Sequence, residues 1–99
     1  MKLFTERQIK EAYEYARLGG QALHIFSDPD IYPDCPNCFR YGCEAAHLID
    51  YDCTRLVKTA RSLGVRVIKV GHKGLPGQHI DLCGRPLQKA KEMALQETA

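Results

Sequence analysis

One segment rich in proline and aspartate, "DPDIYPDCPNC", constrains the fold of this sequence more than any other feature does. Its prolines at positions 29, 33 and 36 lack a backbone N–H and have a fixed φ, so they exclude a regular helix or a central strand here. The segment is therefore predicted to be a long loop. It divides a chain of 99 residues, the length of one domain, into a short first part and a longer second part.

Apolar residues recur at helical or strand spacing on both sides of this loop. Ile9, Ala12, Tyr13 and Ala16 form a helical stripe, and the β-branched run 65–70, "VRVIKV", predicts the clearest strand. Together the patterns predict an N-terminal helix in 1–20, a strand in 22–27, a loop in 28–45, a strand–helix–strand unit in 46–70, a Gly/His loop in 71–85 and a C-terminal helix in 86–97.

This order predicts a single α/β domain with a small sheet of about three strands. The unit in 46–70 is expected to be a β–α–β unit, whose two strands are parallel and joined by a right-handed crossover. Helices are expected to flank the sheet, and a bound zinc is expected to staple the loop.

Charge is distributed unevenly along the chain. Residues 1–53 contain five Lys/Arg and nine Asp/Glu, whereas residues 54–99 contain nine and three. The basic half permits an anionic partner such as nucleic acid, although dispersed basic residues are also typical of a solvated helix face. There is neither an apolar run of about 18 residues nor an apolar N-terminal segment, so we expect no membrane span, no signal peptide and a cytoplasmic location.

Three cysteines and a histidine in and after the loop have the spacing of a metal site. Cys35 and Cys38 form a C-x2-C turn, and with Cys43 and His47 they complete the pattern C-x2-C-x4-C-x3-H. Such a set of three thiolates and one imidazole predicts a structural, tetrahedral Zn²⁺. The fourth ligand stays open, since the sequence offers His47 and, as alternatives, Cys53, Asp34 and His24.

Two other interpretations of the cysteines are a redox or disulfide role and loop cysteines without a common function. The redox role is disfavoured because reactive C-x-x-C motifs usually begin a helix, whereas this one lies among prolines. An odd count of five cysteines also fits the cell interior, where disulfides are rare. Cys53 lies on the apolar face of its predicted helix and is expected to be a core thiol. Cys83 has no assigned role.

Histidines and aspartates follow the predicted strands, where ligands of open α/β sheets gather. The candidate catalytic residues are His79, Asp81, Asp50 and Asp28. In one interpretation His79 is a general base or an anion donor that Asp81 orients. In the other, His79 and Asp81 only bond to each other or cap the last helix.

The loop "GHKGLPGQHIDLCG" is also a candidate phosphate or nucleotide pocket. Its glycines allow backbone N–H groups to approach an anion, and the residues expected to bind it are His72, Lys73 and Gly74. The loop matches no Walker or dinucleotide-binding fingerprint. Its glycines are equally typical of plain turns.

The second half of the chain resembles a family of short, uncharacterised bacterial and phage proteins of unknown function. The matching motifs are His47-Leu48, Leu63-Gly64 and His79-Ile80-Asp81-Leu82, and the resemblance covers roughly residues 22–95. Tyr51 stands where the family usually has aspartate, and Ile80 where it usually has an aromatic residue. The resemblance implies an α/β fold, with the C-x2-C loop and the first helix as additions.

Three functions follow from these observations. The favoured one is a zinc-stapled binding module for an anionic ligand, nucleic acid or a protein partner, because a short sheet offers little depth for an active site. The second is a small hydrolase or phosphate-handling enzyme that uses His79 and Asp81. The third is an inhibitor, of the kind that phages and mobile elements encode, which acts by protein–protein contact.

Overall fold

The described part of the chain folds around a four-stranded sheet in a computed structural model that describes residues 1–26 and 44–98. The strands lie side by side in the order β1 (Lys2–Phe4), β2 (Ala22–Phe26), β3 (Ala45–Ile49) and β4 (His79–Cys83). β1 and β2 are parallel, whereas β2–β3 and β3–β4 are antiparallel. The helices are α1 (Ile9–Arg17), α2 (Cys53–Ser62) and α3 (Gly84–Thr98).

The first β–α–β unit is β1–α1–β2. A short 3-10 helix, Glu6–Gln8, leads into α1, and Gln8 Oε1 accepts a hydrogen bond from the Thr5 N–H at 2.9 Å, as in a capping box. Gly19, at φ 99°, ends α1 in the left-handed conformation that glycine adopts without a steric cost. The chain then turns into β2. The Lys2 N–H, at the start of the neighbouring β1, donates to the carbonyl of Gln21, the residue before β2, at 2.9 Å.

One face of the sheet carries the main apolar core, and α2 and α3 cover it. Strand residues alternate between faces, so every second residue of β2, β3 and β4 points into this core. Asp52 begins α2 by accepting a hydrogen bond from the Arg55 N–H at 3.1 Å. The buried members of this core are Leu23, Ala46, Leu48, Leu56, Ala60, Leu63, Ile80, Leu82, Leu87 and Ala90. Burial of each leucine or isoleucine contributes about 1.5–3 kcal/mol.

The opposite face of the sheet is packed against α1 through a smaller cluster. Ala12 and Ala16 of α1 contact Phe4, Ala22 and Ile49 of the sheet. Beyond this cluster, the same face carries a small apolar group of Phe26, Ala45 and Cys83, together with polar residues. The polar residues include the histidines and the aspartate described in the next section.

One strand prediction and one loop prediction in the second half of the chain are wrong. Residues 65–70 form no strand, and the fourth strand is instead His79–Cys83, in the predicted Gly/His loop. In "VRVIKV" neither set of alternate residues is wholly apolar: Val67 is 72% exposed, and only Val65, Ile68 and Val70 pack against the core. "HIDLC" does alternate, with Ile80 and Leu82 buried.

The sheet therefore has four strands and not three, and the second unit is not a parallel β–α–β unit. β3 and β4, which α2 connects, are antiparallel neighbours, so no crossover is needed there. The extra strand is β1, which lies where the sequence predicts the start of the N-terminal helix. Three hydrogen-bonded residues are too short a strand to leave a period-2 signal in the sequence.

Most of the remaining elements agree with the sequence. β2, β3, α2 and α3 lie within a few residues of their predicted bounds, whereas α1 is shorter than the predicted helix in 1–20, and the α/β class is confirmed. The predicted zinc loop, with Asp28, Asp34, Cys35, Cys38 and Cys43, lies outside the described residues. Within the described ranges, no helix has both the length and the apolar character that a bilayer crossing requires.

Candidate metal centre

Two histidines and an aspartate meet on the α1 face of the sheet, on the neighbouring strands β3 and β4. His47 of β3 lies directly opposite Asp81 of β4 in the register, and His79 precedes Asp81 by two residues on the same face. One possible ligand atom from each of the three side chains lies within 4.8 Å of the others. We call His47, His79 and Asp81, a candidate site for a cation, the metal centre.

Asp81 is the central member of this group. Its Oδ1 atom lies 2.8 Å from His47 Nδ1 and 3.5 Å from His79 Nε2. Ligand atoms on one tetrahedral zinc ion are about 3.4 Å apart, given bonds of about 2.0–2.1 Å. The two distances lie on either side of this value, and all three ligand atoms lie within 4.8 Å of one another, a spacing that suits a shared ion after side-chain rotation.

The orientation of His79 is fixed by the backbone around it. Its Nδ1 lies 2.7 Å from the Gly77 carbonyl, which can only accept, so Nδ1 carries the proton. When the ring is neutral, Nε2 is unprotonated and faces Asp81 Oδ1, so two acceptors lie 3.5 Å apart, an arrangement that a cation between them stabilises. When the ring is doubly protonated, Nε2–H forms an ion pair with the same oxygen. A ligating histidine commonly donates its other N–H to a carbonyl in this way.

Gly71 provides the space for this ring. Its N–H and carbonyl pair with His79 at 2.8 and 3.0 Å, which places its Cα against the imidazole. A Cβ atom at position 71 would lie 2.7 Å from His79 Cε1 and 2.8 Å from Nε2. Only glycine therefore leaves the ring where it is.

Aromatic contacts hold the plane of His47. Phe26 stacks on its ring with a centroid distance of 4.2 Å, and the parallel ring of His24 lies at 5.9 Å. The His79 ring meets His47 edge-on at 4.8 Å. The side chains remain accessible, at 29% exposure for His47, 18% for His79 and 43% for Asp81. Water and a small ligand can therefore reach the metal centre.

His24, the partner of His47 on β2, contains a buried nitrogen atom that lacks a hydrogen bond. Its Nε2 donates to the Glu6 carbonyl at 3.0 Å, so Nδ1 carries a lone pair. This Nδ1 has no hydrogen-bond partner in the part of the chain that the structure describes, although His24 is only 3% exposed. An unsatisfied buried acceptor costs about 1–3 kcal/mol, and such atoms concentrate at functional sites.

Asp50, a candidate catalytic residue, is instead the centre of a structural network. It is fully buried, and Arg55 binds both of its carboxylate oxygens at 2.7 Å. Gln21 Nε2 and the Asp52 N–H donate to the same carboxylate. The hydrogen bond to Asp50 raises the pKa of the Arg55 guanidinium above its usual value. The carboxylate thus ties the start of α2 to the end of α1, since Arg55 also donates to the Gly19 carbonyl.

The predicted anion-binding residues form an exposed turn next to the metal centre. Leu75 N–H closes this turn on the His72 carbonyl at 2.9 Å. The Gly74 N–H, predicted to approach an anion, already donates to Gln78 Oε1 at 2.8 Å. Lys73 is exposed, and the His72 ring lies 5.6 Å from that of His79. The histidine and the lysine, and not the glycine amide, are therefore the groups that face outward.

The described residues bring together only part of the predicted sites. His79 and Asp81 lie together as expected, and His47, predicted to hold the loop zinc, joins them. Cys53 is a free, half-buried thiol, and Cys83 packs with Ala45 at the end of β4. Asp28 and the three loop cysteines lie outside the described residues.

Comparison of the chain with protein-family models, with curated proteins and with solved structures gave no match. The family resemblance based on the His-Leu, Leu-Gly and His-x-Asp-Leu motifs therefore stays a prediction. The chemistry of the metal centre is the remaining guide to function.

Proposed function

We propose that the protein is a small metal-dependent hydrolase of phosphate esters, in which His47, His79 and Asp81 hold a divalent cation. The observation that carries the proposal is the geometry of His79, whose Nδ1 is committed to the Gly77 carbonyl while Nε2 faces Asp81 Oδ1 at 3.5 Å. This is the enzyme alternative from the sequence, with His47 added to His79 and Asp81.

The ligand set favours a reactive cation over a structural one. Structural zinc is closed by four protein ligands, whereas a set of two histidines and one carboxylate leaves a position for water or substrate. A divalent cation held in this way lowers the pKa of bound water and polarises a phosphoryl oxygen. The partial exposure of Asp81 and His47 gives water access, which hydrolysis requires.

The same set of ligands also holds non-haem Fe²⁺ in oxygenases. Hydrolysis is favoured here because the three side chains are 18–43% exposed, whereas oxygen activation relies on a shell that restricts solvent. An anionic substrate fits the exposed turn next to the metal centre. There the Lys73 ammonium and the His72 imidazole can donate hydrogen bonds to it. The excess of nine Lys/Arg over three Asp/Glu in residues 54–99 agrees with an anionic substrate.

A binding module stapled by zinc on Cys35, Cys38 and Cys43 stays a separate hypothesis. It requires a fourth ligand, and the described residues show His47 Nδ1 bonded to Asp81 Oδ1. His47 could then serve the loop only through Nε2, with Asp81 bonded to its Nδ1. Changes at Asp81 and at Cys38 are therefore both needed to separate the two hypotheses.

The test is the variant Asp81→Asn, with Asp52→Asn as the matched control. Asparagine removes the charge that attracts the cation, so the affinity for Co²⁺, read from its visible absorption, is expected to fall at least about tenfold. In Asp52→Asn, the affinity is expected to stay within about twofold, since asparagine also caps helices well. Chelator-treated protein is expected to hydrolyse bis(p-nitrophenyl) phosphate only after metal is returned.

Two results would contradict the proposal at different points. Equal Co²⁺ affinity in wild type and Asp81→Asn would show that the metal centre does not bind the cation. Normal, Asp81-dependent Co²⁺ binding without hydrolysis of mono- or diester probes would retain the metal centre and exclude the phosphatase activity.

A further inference from the structure

His72 lies beside the metal centre on a turn that is held at both ends. On one side, Gly71 pairs with His79 through two backbone hydrogen bonds. On the other, Gln78 accepts from the Gly74 N–H at 2.8 Å and donates to the Asp50 carbonyl at 2.9 Å. The turn is thus tied to β3 and β4, the two strands that carry the metal centre.

The backbone of His72 adopts a conformation that is unfavourable for its residue type. Its φ is +52°, and among the described residues it is the one non-glycine residue with positive φ. Steric contact between Cβ and the backbone disfavours this region for every residue except glycine, and least for asparagine, aspartate and histidine. The conformation persists because the surrounding hydrogen bonds determine it, as is common at functional sites.

The position of the ring explains what this conformation achieves. The His72 imidazole lies 5.6 Å from that of His79, centroid to centroid, at an angle of 38°. His72 is not a member of the three-residue ligand group, and it is exposed to solvent. It stands one ring away from the ligand His79, on an exposed turn.

We propose that His72 is a substrate-contacting residue that donates a hydrogen bond to an outer oxygen of the metal-bound phosphate group and so selects for anionic substrates. The proposal rests on the proposed function, because the metal centre must first hold the phosphate. An imidazole N–H donating to a phosphate oxygen is a charge-assisted hydrogen bond, about twice as strong as a neutral one. His72 would thus add affinity for the anion without adding a bond to the metal.

The experiment compares Co²⁺ and phosphate titrations in wild type and in His72→Asn. Asparagine tolerates positive φ, so the turn is retained, and its shorter amide has no counterpart of the imidazole Nε2, so a donor that reaches as far as Nε2 is lost. We expect the affinity of the Co²⁺-loaded protein for inorganic phosphate to fall about tenfold, the effect of one charge-assisted hydrogen bond. The Co²⁺ affinity itself should stay within about twofold. Lys58→Gln, at an exposed lysine on α2, controls for bulk charge and should change neither value.

His72→Gly provides a second variant, which removes the backbone strain as well as the ring. It is expected to match His72→Asn in phosphate affinity and to melt at a temperature no lower than wild type. Unchanged phosphate affinity in both variants would overturn the proposal, as would a parallel loss of Co²⁺ affinity, which would make His72 a metal ligand. Failure of wild type to bind Co²⁺ would refute the proposed function itself, and the two failures are therefore separable.

Discussion

At the scale of single residues, the metal centre depends on small residues that leave room for the imidazoles. Gly71 and Gly77 lie on either side of His79: one leaves the space for its ring, and the carbonyl of the other fixes its proton on Nδ1. Gly77 also lies close to Tyr13 of α1, since a Cβ there would be 3.4 Å from the tyrosine ring. The backbone of these glycines thus determines which nitrogen faces Asp81.

Replacement of Gly71 by alanine is expected to displace His79. The new methyl group would lie 2.7–2.8 Å from the imidazole, so the ring must move, at a cost of about 1–3 kcal/mol in the free energy of unfolding. The Co²⁺ affinity is expected to fall at least about tenfold, because a ligand is misplaced. Gly20→Ala is the matched control: its Cβ would lie 2.4–2.8 Å from the Tyr15 ring, outside the metal centre. Equal Co²⁺ affinity in both variants and wild type would contradict this role of Gly71.

The sequence predicts that His79 and Asp81 act together, but as a general base and the residue that orients it, because they come after a predicted strand. His47 is assigned to the loop zinc because of its spacing from the cysteines. Its position opposite Asp81 follows only from the register of β3 and β4, and that register requires residues 79–83 to be a strand. Among the described residues, His24 Nδ1 has no hydrogen-bond partner, and the bond from Nε2 to the Glu6 carbonyl holds the ring in this orientation. That bond leaves no signal in the sequence.

At the scale of elements, two runs of similar composition take different structures. "VRVIKV" is rich in β-branched residues, yet Lys69 interrupts one set of alternate positions and Arg66 the other, so neither face can be buried whole. "HIDLC" has lower β-propensity but alternates over its first four residues, His79 to Leu82, and it forms β4. Alternation predicts a strand better than β-propensity does here, because burial of one face provides the stability. α2 and α3 are predicted well, since Asp52 caps α2 and Pro86 lies in the first turn of α3, whereas α1 begins later than predicted.

Substitutions in residues 65–70 test this explanation. Ile68 is half-buried against the main core, so Ile68→Ala is expected to lower the free energy of unfolding by about 1–2 kcal/mol, less than for a fully buried isoleucine. Val67 is 72% exposed, and Val67→Ala is expected to change the free energy of unfolding by no more than about 0.5 kcal/mol. Urea denaturation of the two variants gives both values. A larger effect at Val67 than at Ile68 would mean that the segment packs differently.

At the scale of the whole molecule, the metal centre joins parts of the chain that are distant in sequence. His47 and Asp81 are 34 residues apart, and α2 with the 65–78 segment lies between them. The unfolded chain does not hold these ligands together, so a cation is expected to bind the folded state almost exclusively. Metal binding and folding would therefore be coupled.

Zinc is consequently expected to raise the melting temperature. At a free Zn²⁺ concentration of about 100 times Kd, the folded state gains about 2.7 kcal/mol, or about 10–20 °C for a domain of this size. Differential scanning calorimetry of Asp81→Asn is expected to show no such shift, whereas Cys38→Ser should retain it. The reverse outcome, with the shift lost in Cys38→Ser and kept in Asp81→Asn, would place the stabilising ion in the cysteine loop.

The alternation of strand residues between the two faces of the sheet has a consequence for how this protein tolerates change. Leu48, Ile80 and Leu82 face the core, whereas His47, His79 and Asp81, their immediate neighbours in sequence, face the other side. Mutations at the first set are expected to affect folding, and mutations at the second set mainly chemistry. Simultaneous randomisation of positions 47, 79 and 81 should therefore yield many folded proteins with new ligand sets, which makes this sheet a scaffold on which metal sites can diversify without repacking the core.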